Sequence, residues 1–302
     1  MPRLHIRRFL LTFLLLALLK TQSTGAVPSE SQDIWRVDSR AIAQLRADEQ
    51  NFSKLKYYRW KNNRWQVSDA ETFFDTQQAE IPLHFFALGF TLTTQQITQT
   101  GFDIVRHFDP NKPCRIVFWD WYSDRNSGTY RHDIRKRLPI ADNTGDYLAL
   151  FLQKLKPQSK TCLFGFSLGN RVICEALEAL RKNDRCPVGL RIHLVIAGAA
   201  IDWDTFAKGH QHGELPKMVE KILVLYNPHD FVLRFYPAIY GCRCRPAALG
   251  SKGLPMQNID PAYRNQFENV NVERYIGGKH QTLAHVQSPA FHSRIGTYFF
   301  FE

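Results

Sequence analysis

Residues 161–181 constrain this chain more than any other segment. An apolar run, Thr161-Cys162-Leu163-Phe164, reads as a strand and leads into Gly165-Phe166-Ser167-Leu168-Gly169. A helical pattern from Asn170 to Arg181 leads out. The bare G-x-S-x-G pattern recurs by chance in about one chain of this length in ten, so the setting carries the weight. A strand that becomes a helix within five residues must turn sharply. That turn holds the serine at the strand's carboxyl end in a strained backbone and requires small residues on either side of it. It also aims the positive end of a helix at the space beside the hydroxyl.

The rest of the chain repeats the same alternation. Residues 33–39 alternate apolar and polar as a half-buried strand does. Lys56-Tyr-Tyr-Arg-Trp60 and Trp65-Gln-Val67 flank Asn62-Asn63, a hairpin whose turn residues tolerate positive φ. Strands are then expected at 83–88, 115–119, 161–164, 191–196, 221–226 and 270–276. Helices are expected at 93–108, 144–155, 170–181 and 288–299, with a polar, loop-rich stretch over 122–143. Strands alternating with helices of this length form right-handed crossovers and a mainly parallel sheet with helices on both faces. The aromatic meander at the start makes it mixed. The expected class is α/β, with antiparallel N-terminal strands.

A serine hydroxyl needs a base to take its proton, and the base needs an acid to orient it. With the nucleophile on such a turn, acid and then histidine follow in chain order. Asp230 lies in the loop after strand 221–226 and is the favoured acid; Asp202 and Asp204, after the preceding strand, compete with it. His280 follows the last expected strand and is the favoured base, with His285 in reserve and His292 inside the expected terminal helix. An oxyanion would take the backbone N–H of Leu168, the residue after the serine, and that of Phe90, which follows Gly89 in the turn after strand 83–88. This chemistry needs no cofactor and no metal.

The N-terminus stands apart. Arg3, Arg7 and Arg8 precede residues 9–19, a run of 11 that is apolar but for Thr12, and Thr24-Gly25-Ala26 follow. That order predicts a secretory signal peptide over 1–26, cleaved after Ala26, with residues 27–302 as one domain. The run falls short of the roughly 20 residues a membrane span needs; an uncleaved N-terminal anchor is the competing reading. Export makes the protein secreted or periplasmic, held in or near the envelope.

The formal charge is +11, of which four, Arg3, Arg7, Arg8 and Lys20, fall in residues 1–26 with no acid, leaving +7. The basic residues are scattered, with one cluster at 131–137 that reads as a solvated basic loop, and no nucleic-acid-binding signature is present. Trp119, Trp121 and Tyr122, with that basic loop, are candidates for the pocket border. Six cysteines meet an oxidising compartment, so disulfides are open, but their pairing cannot be read from spacing. Cys162 and Cys174 sit in apolar patterns as small buried side chains, and Cys242-Arg-Cys244 lacks the second pair a metal site would need.

Over residues 81–300 the chain resembles a bacterial family of α/β-hydrolases of unknown function. Members carry a strand ending in His-Gly-Tyr-Asn, an apolar strand ending in a Trp-Pro-Ser type turn, a Ser-Met-Gly-Asn-Arg elbow, a late Asp and a Gly-x-x-His segment. Here Ser167-Leu-Gly-Asn-Arg171 matches the elbow, and Trp121-Tyr-Ser123 matches the turn loosely. Asp230 and Gly277-Gly-Lys-His280 match the late acid and base, and residues 246–254 match the loop before the last strand. The His-Gly pair is replaced by Leu88-Gly89. The family histidine is thought to organise the oxyanion loop, so its loss bears on that loop's geometry rather than on the three reacting residues.

The reading this favours is acyl hydrolysis of a small ester or related substrate. A binding or scaffold protein on a degenerate hydrolase fold is the alternative from another class. An acyltransferase would use the same residues.

Overall fold

A computed structural model describes residues 31–124, 129–239 and 247–302. The expected signal peptide, Cys242 and Cys244 lie outside the described residues.

Among the described residues nine strands form one twisted sheet in the order β3-β2-β1-β5-β4-β6-β7-β8-β9. They are β1 (Gln32–Asp38), β2 (Lys56–Lys61), β3 (Arg64–Ser68), β4 (Leu83–Ala87), β5 (Cys114–Asp120), β6 (Lys160–Phe166), β7 (Arg191–Ala197), β8 (Lys221–Tyr226) and β9 (Phe267–Asn271). Every neighbouring pair from β1–β5 onward is parallel; only β1–β2 and β2–β3 are antiparallel. The Asn62-Asn63 turn has φ of 54° and 57° and places Trp60 opposite Trp65, the geometry two-residue hairpins favour.

The central strands are apolar at nearly every position because both faces are covered. Phe85, Val117, Trp119, Leu163, Leu194 and Ile196 belong to one core layer, under helices α2 (Tyr130–Gln153) and α3 (Gly169–Lys182). Phe86, Phe118, Phe164, Val195 and Leu225 belong to the other, under α1 (Thr94–Val105) and the C-terminal segment. Phe151 of α2 lies within 5.0–5.6 Å, centroid to centroid, of the Phe73, Phe74, Phe85 and Trp119 rings. Ring pairs at such spacings add stability beyond the area they bury.

Three expectations for the elements are corrected. The stretch 122–143 is not all loop: α2 begins at Tyr130 and runs through Pro139. Thr129 caps it, and Ile134, Arg137, Ile140 and Ala141 are buried at helical spacing; the polar residues between them conceal that face from a compositional reading. The basic cluster 131–137 is therefore helical, and Arg137 is buried, donating to the Asp124 carbonyl and resting over the Tyr122 ring. The last strand is Phe267–Asn271, and residues 273–276 are a short helix, because the Asn271 side chain accepts from the Glu273 N–H and turns the chain out of the sheet. The expected terminal helix is two short ones, Pro289–His292 and Ile295–Phe299, interrupted where the Arg294 guanidinium turns to Glu268 and the Ala290 carbonyl.

Cys114, Cys162 and Cys174 are buried free thiols and Cys186 is exposed and free. Among the described residues no helix is long and apolar enough to cross a membrane.

Candidate active site

The turn between β6 and α3 places Ser167 at φ +53°, the left-handed region, at the sheet's carboxyl edge. A non-glycine residue is held there only if its surroundings over-determine it, and here they do. The Ser167 N–H donates to the Ala197 carbonyl of β7 (3.2 Å), while its own carbonyl accepts from the Asn170 and Ala200 N–H groups and from the Asn170 side chain. The Asn170 amide also donates to the Ala197 carbonyl (3.1 Å). Gly169 lets the elbow dock against β4: a Cβ there would fall 1.9 Å from the Ala87 carbonyl oxygen.

His280 reaches this serine from the other end of the chain. Its Nε2 lies 3.0 Å from Ser167 Oγ, and its Nδ1 lies 2.7 Å from Asp230 Oδ2. Asp230 is fully buried, and its second oxygen accepts from the Val232 and Leu233 N–H groups, each at 2.9 Å. Both carboxylate oxygens are thus engaged and the ring is held from one side. Ser167 is buried, with 8% of its surface exposed. The loop that carries His280 is pinned to the loop that carries Asp230. The Asn227 side chain donates to the Gly277 carbonyl and the Phe231 N–H to the Gly278 carbonyl.

The other candidates lie elsewhere. Asp202 accepts from the Tyr236 hydroxyl (2.8 Å), and Asp204 lies 3.5 Å from His210. His285 is buried behind Phe166, with its Nδ1 at 3.0 Å from the Gln281 carbonyl, and burial lowers its pKa to about 4. It is a neutral packing residue next to the site. His292 is exposed and meets the His107 ring edge to face. Trp119 and Trp121 are fully buried, so they back the site and do not border a pocket.

Phe90 and Leu168 flank the serine. Gly89 packs so closely that a Cβ on it would fall 2.9 Å from Ser167 Cβ. Leu168 opens α3, whose amino end faces the same space. The 88–92 loop is held from behind by a set of contacts that the sequence reading did not assemble. The Trp121 indole donates to the Leu88 carbonyl (2.8 Å). The Thr91 N–H donates to the Ser123 carbonyl (2.8 Å), with Thr91 itself at φ +77°. The Leu92 carbonyl accepts from both Ser123 Oγ (3.1 Å) and the Arg40 guanidinium (2.9 Å). Arg40 is fixed in turn by Asp120 and Asp124, and Arg36 shares Asp120 at 3.0 Å. Burial pushes the Asp120 carboxyl up, opposed by the charge of Arg40.

The Trp-x-Ser turn was the legible sign of this clamp, since both of its named side chains hold the loop. Arg40 gave no sign: it sits some 80 residues from its Asp120 partner in an unremarkable polar stretch. Among the described residues no group of three or more His, Cys, Asp or Glu side chains is arranged to hold a metal ion.

No curated protein matches this sequence. Among solved structures, the product of the gene lin2722 of Listeria innocua is similar at 11% identity and a TM-score of 0.39, over 72% of this chain and 93% of that one. An iodinated complex of acetyl xylan esterase is similar at 10% identity and a TM-score of 0.31, over 72% and 92%. Residues 78–288 match a family described as alpha/beta hydrolase of unknown function, DUF900. That span runs from just before β4 to the end of the helical segment after His280, taking in the elbow, the late acid and the base. The chain belongs to this family of alpha/beta hydrolases.

Proposed function

We propose that this protein is a serine acyl hydrolase acting on carboxylic esters. The observation that carries the reading is the hydrogen-bonded series Ser167–His280–Asp230, at 3.0 and 2.7 Å, on a positive-φ elbow. Ser167 Oγ attacks the ester carbonyl while His280 Nε2 takes its proton. Asp230 holds the ring with Nδ1–H toward the carboxylate and stabilises the imidazolium. The Leu168 and Phe90 N–H groups receive the negative charge that develops on the carbonyl oxygen. The C–O bond to the alcohol then breaks, and the alcohol leaves with the proton from His280. Water, deprotonated by the same ring, attacks the acyl-enzyme to release the carboxylic acid and restore Ser167.

Leu88, where the family pattern has histidine, is the observation that favours a non-catalytic binding protein. Against it, the loop that a histidine would organise is tied by Trp121, Ser123 and Arg40. An acyltransferase differs only in using an alcohol in place of water for the second attack. The leader-like composition of residues 1–26 supports export and action in the envelope or outside it.

A fluorophosphonate probe and a short-chain aryl ester test the reading. Wild type is expected to take the probe on Ser167 and to hydrolyse the ester, and His280→Ala to do neither. Folded protein that neither labels nor turns over would establish the binding-protein reading. Ester products in place of acid, when an alcohol is added, would establish acyl transfer.

A further inference from the structure

The two loops that present Asp230 and His280 also carry an exposed aromatic surface. Phe231 is 55% exposed, Phe235 56% and Tyr275 38%, half of the large exposed hydrophobic side chains among the described residues. They form one surface because the loops are joined. His229 pairs with Glu273, the Phe231 N–H donates to the Gly278 carbonyl, and a Cβ on Gly278 would fall 2.7 Å from the Phe231 ring. Clusters of exposed apolar side chains at a site mouth mark contact surfaces more often than isolated ones do.

Cations overlie these rings. The Arg234 guanidinium sits 4.6 Å from the Phe231 centroid and 4.9 Å from that of Phe235, and Arg274 sits 4.5 Å from that of Tyr275. Exposed Lys279 adjoins them. None of these three cations has a carboxylate partner among the described residues. The acids nearby, Glu273 and Asp230, are engaged by His229 and His280. Arg274 also donates to the Tyr275 hydroxyl, and the exposed face that Arg234, Arg274 and Lys279 present is cationic and suits an anionic partner. A ring with a guanidinium against its face can enter the boundary between headgroup and acyl chain while the cation stays level with phosphate.

We propose that this aromatic–cationic rim docks the site mouth onto an anionic phospholipid bilayer. Docking is independent of catalysis. Its consequence, that the ester substrate is drawn from that surface, rests on the hydrolase reading above.

Hydrogen exchange of the full chain, with and without vesicles, localises the contact and separates it from any binding through residues 1–26. Phosphatidylglycerol-containing vesicles are expected to slow exchange over 229–235 and 273–279. Pure phosphatidylcholine vesicles are expected to do so far less, and high salt to reverse the effect. The triple variant Arg234→Glu, Phe235→Ser, Arg274→Glu is expected to need at least roughly thirty-fold more anionic lipid for the same protection. Its hydrolysis of a soluble short-chain ester should be unchanged, which also shows that it is folded. Unaltered exchange at both segments, or equal slowing on both lipids, would overturn the docking proposal whatever the ester assay gives. Lipid protection without turnover of the soluble ester by wild type would leave docking standing and sink the hydrolase reading.

Discussion

The two halves of the site rim are built on different plans. On the base side, Ser167, His280 and Asp230 stand in single file, joined by one side-chain hydrogen bond between each neighbouring pair, with the far oxygen of Asp230 held by the Val232 and Leu233 N–H groups. On the side proposed to receive the oxyanion, the 88–92 loop is held in parallel. Trp121 ties the Leu88 carbonyl, Ser123 ties Thr91 and Leu92, and Arg40 ties Leu92 again, with Asp120 and Asp124 behind it. A series fails when any member fails, whereas parallel ties share the load. The difference matches what each half does in the proposed mechanism. A proton must travel through one half, and backbone N–H groups must stay still in the other. It also fits the leucine at position 88, where the pattern this chain resembles has histidine, since the loop is fastened at the Leu88 and Leu92 carbonyls and the Thr91 N–H, from the turn after β5 and the segment after β1.

The comparison predicts unequal losses. Asp230→Asn keeps the shape but donates where a carboxylate accepted, so the ring is held in the wrong tautomer. A fall of roughly 10³- to 10⁴-fold in kcat for a soluble ester is expected. A loss below tenfold would break the single-file account.

On the parallel side, Trp121→Phe removes one tie and leaves the Leu88 carbonyl buried without its partner, worth about 1–3 kcal/mol of local stability. With the other ties in place, about a tenfold fall in kcat with little change in KM is expected. A loss as large as that of Asp230→Asn would show that the ties do not share the load.

The smallest expected effect concerns acid stability, and it sharpens the comparison from below. Each half rests on one buried histidine: His285 behind Phe166, whose ring lies against His280, and His84 in β4, packed edge-on against Phe108, Phe299 and Phe300. Burial lowers His84 to about 3 and His285 to about 4. The unfolded chain takes up protons near pH 6.5 where the native chain does not, so stability is highest above that pH. It falls as pH drops toward 4, by at most about 1.4 kcal/mol per pH unit for each histidine. Urea unfolding at pH 7 and pH 5 should show this decline, and His84→Phe should make it shallower. An unchanged slope in that variant would mean that the β4 histidine does not titrate on unfolding.

The same contrast separates what could be read from sequence. Ser167, Asp230 and His280 were legible because each sits where a strand pattern stops, and the order of residues along the chain follows the order in which parallel strands are crossed. The element boundaries were less so. The polar outer face of α2 hid its buried residues, and the Asn271 side chain ended β9 where the apolar pattern continued. Trp121 and Ser123 left a faint trace as a Trp-x-Ser turn, and Arg40 left none.

Sequence alone determined the alternation of strand and helix, and with it the sharp elbow and the chain order of its partners, because periodicity and turn chemistry act between near neighbours. Tertiary structure singled out, among the competing acids and histidines, the imidazole that meets the serine and the carboxylate that meets that imidazole, and it decided what holds the 88–92 loop. Those choices depend on strand order. β1 lies against β5, so Arg40 beyond β1 reaches Asp120 at the end of β5, and no local pattern encodes a contact across 80 residues.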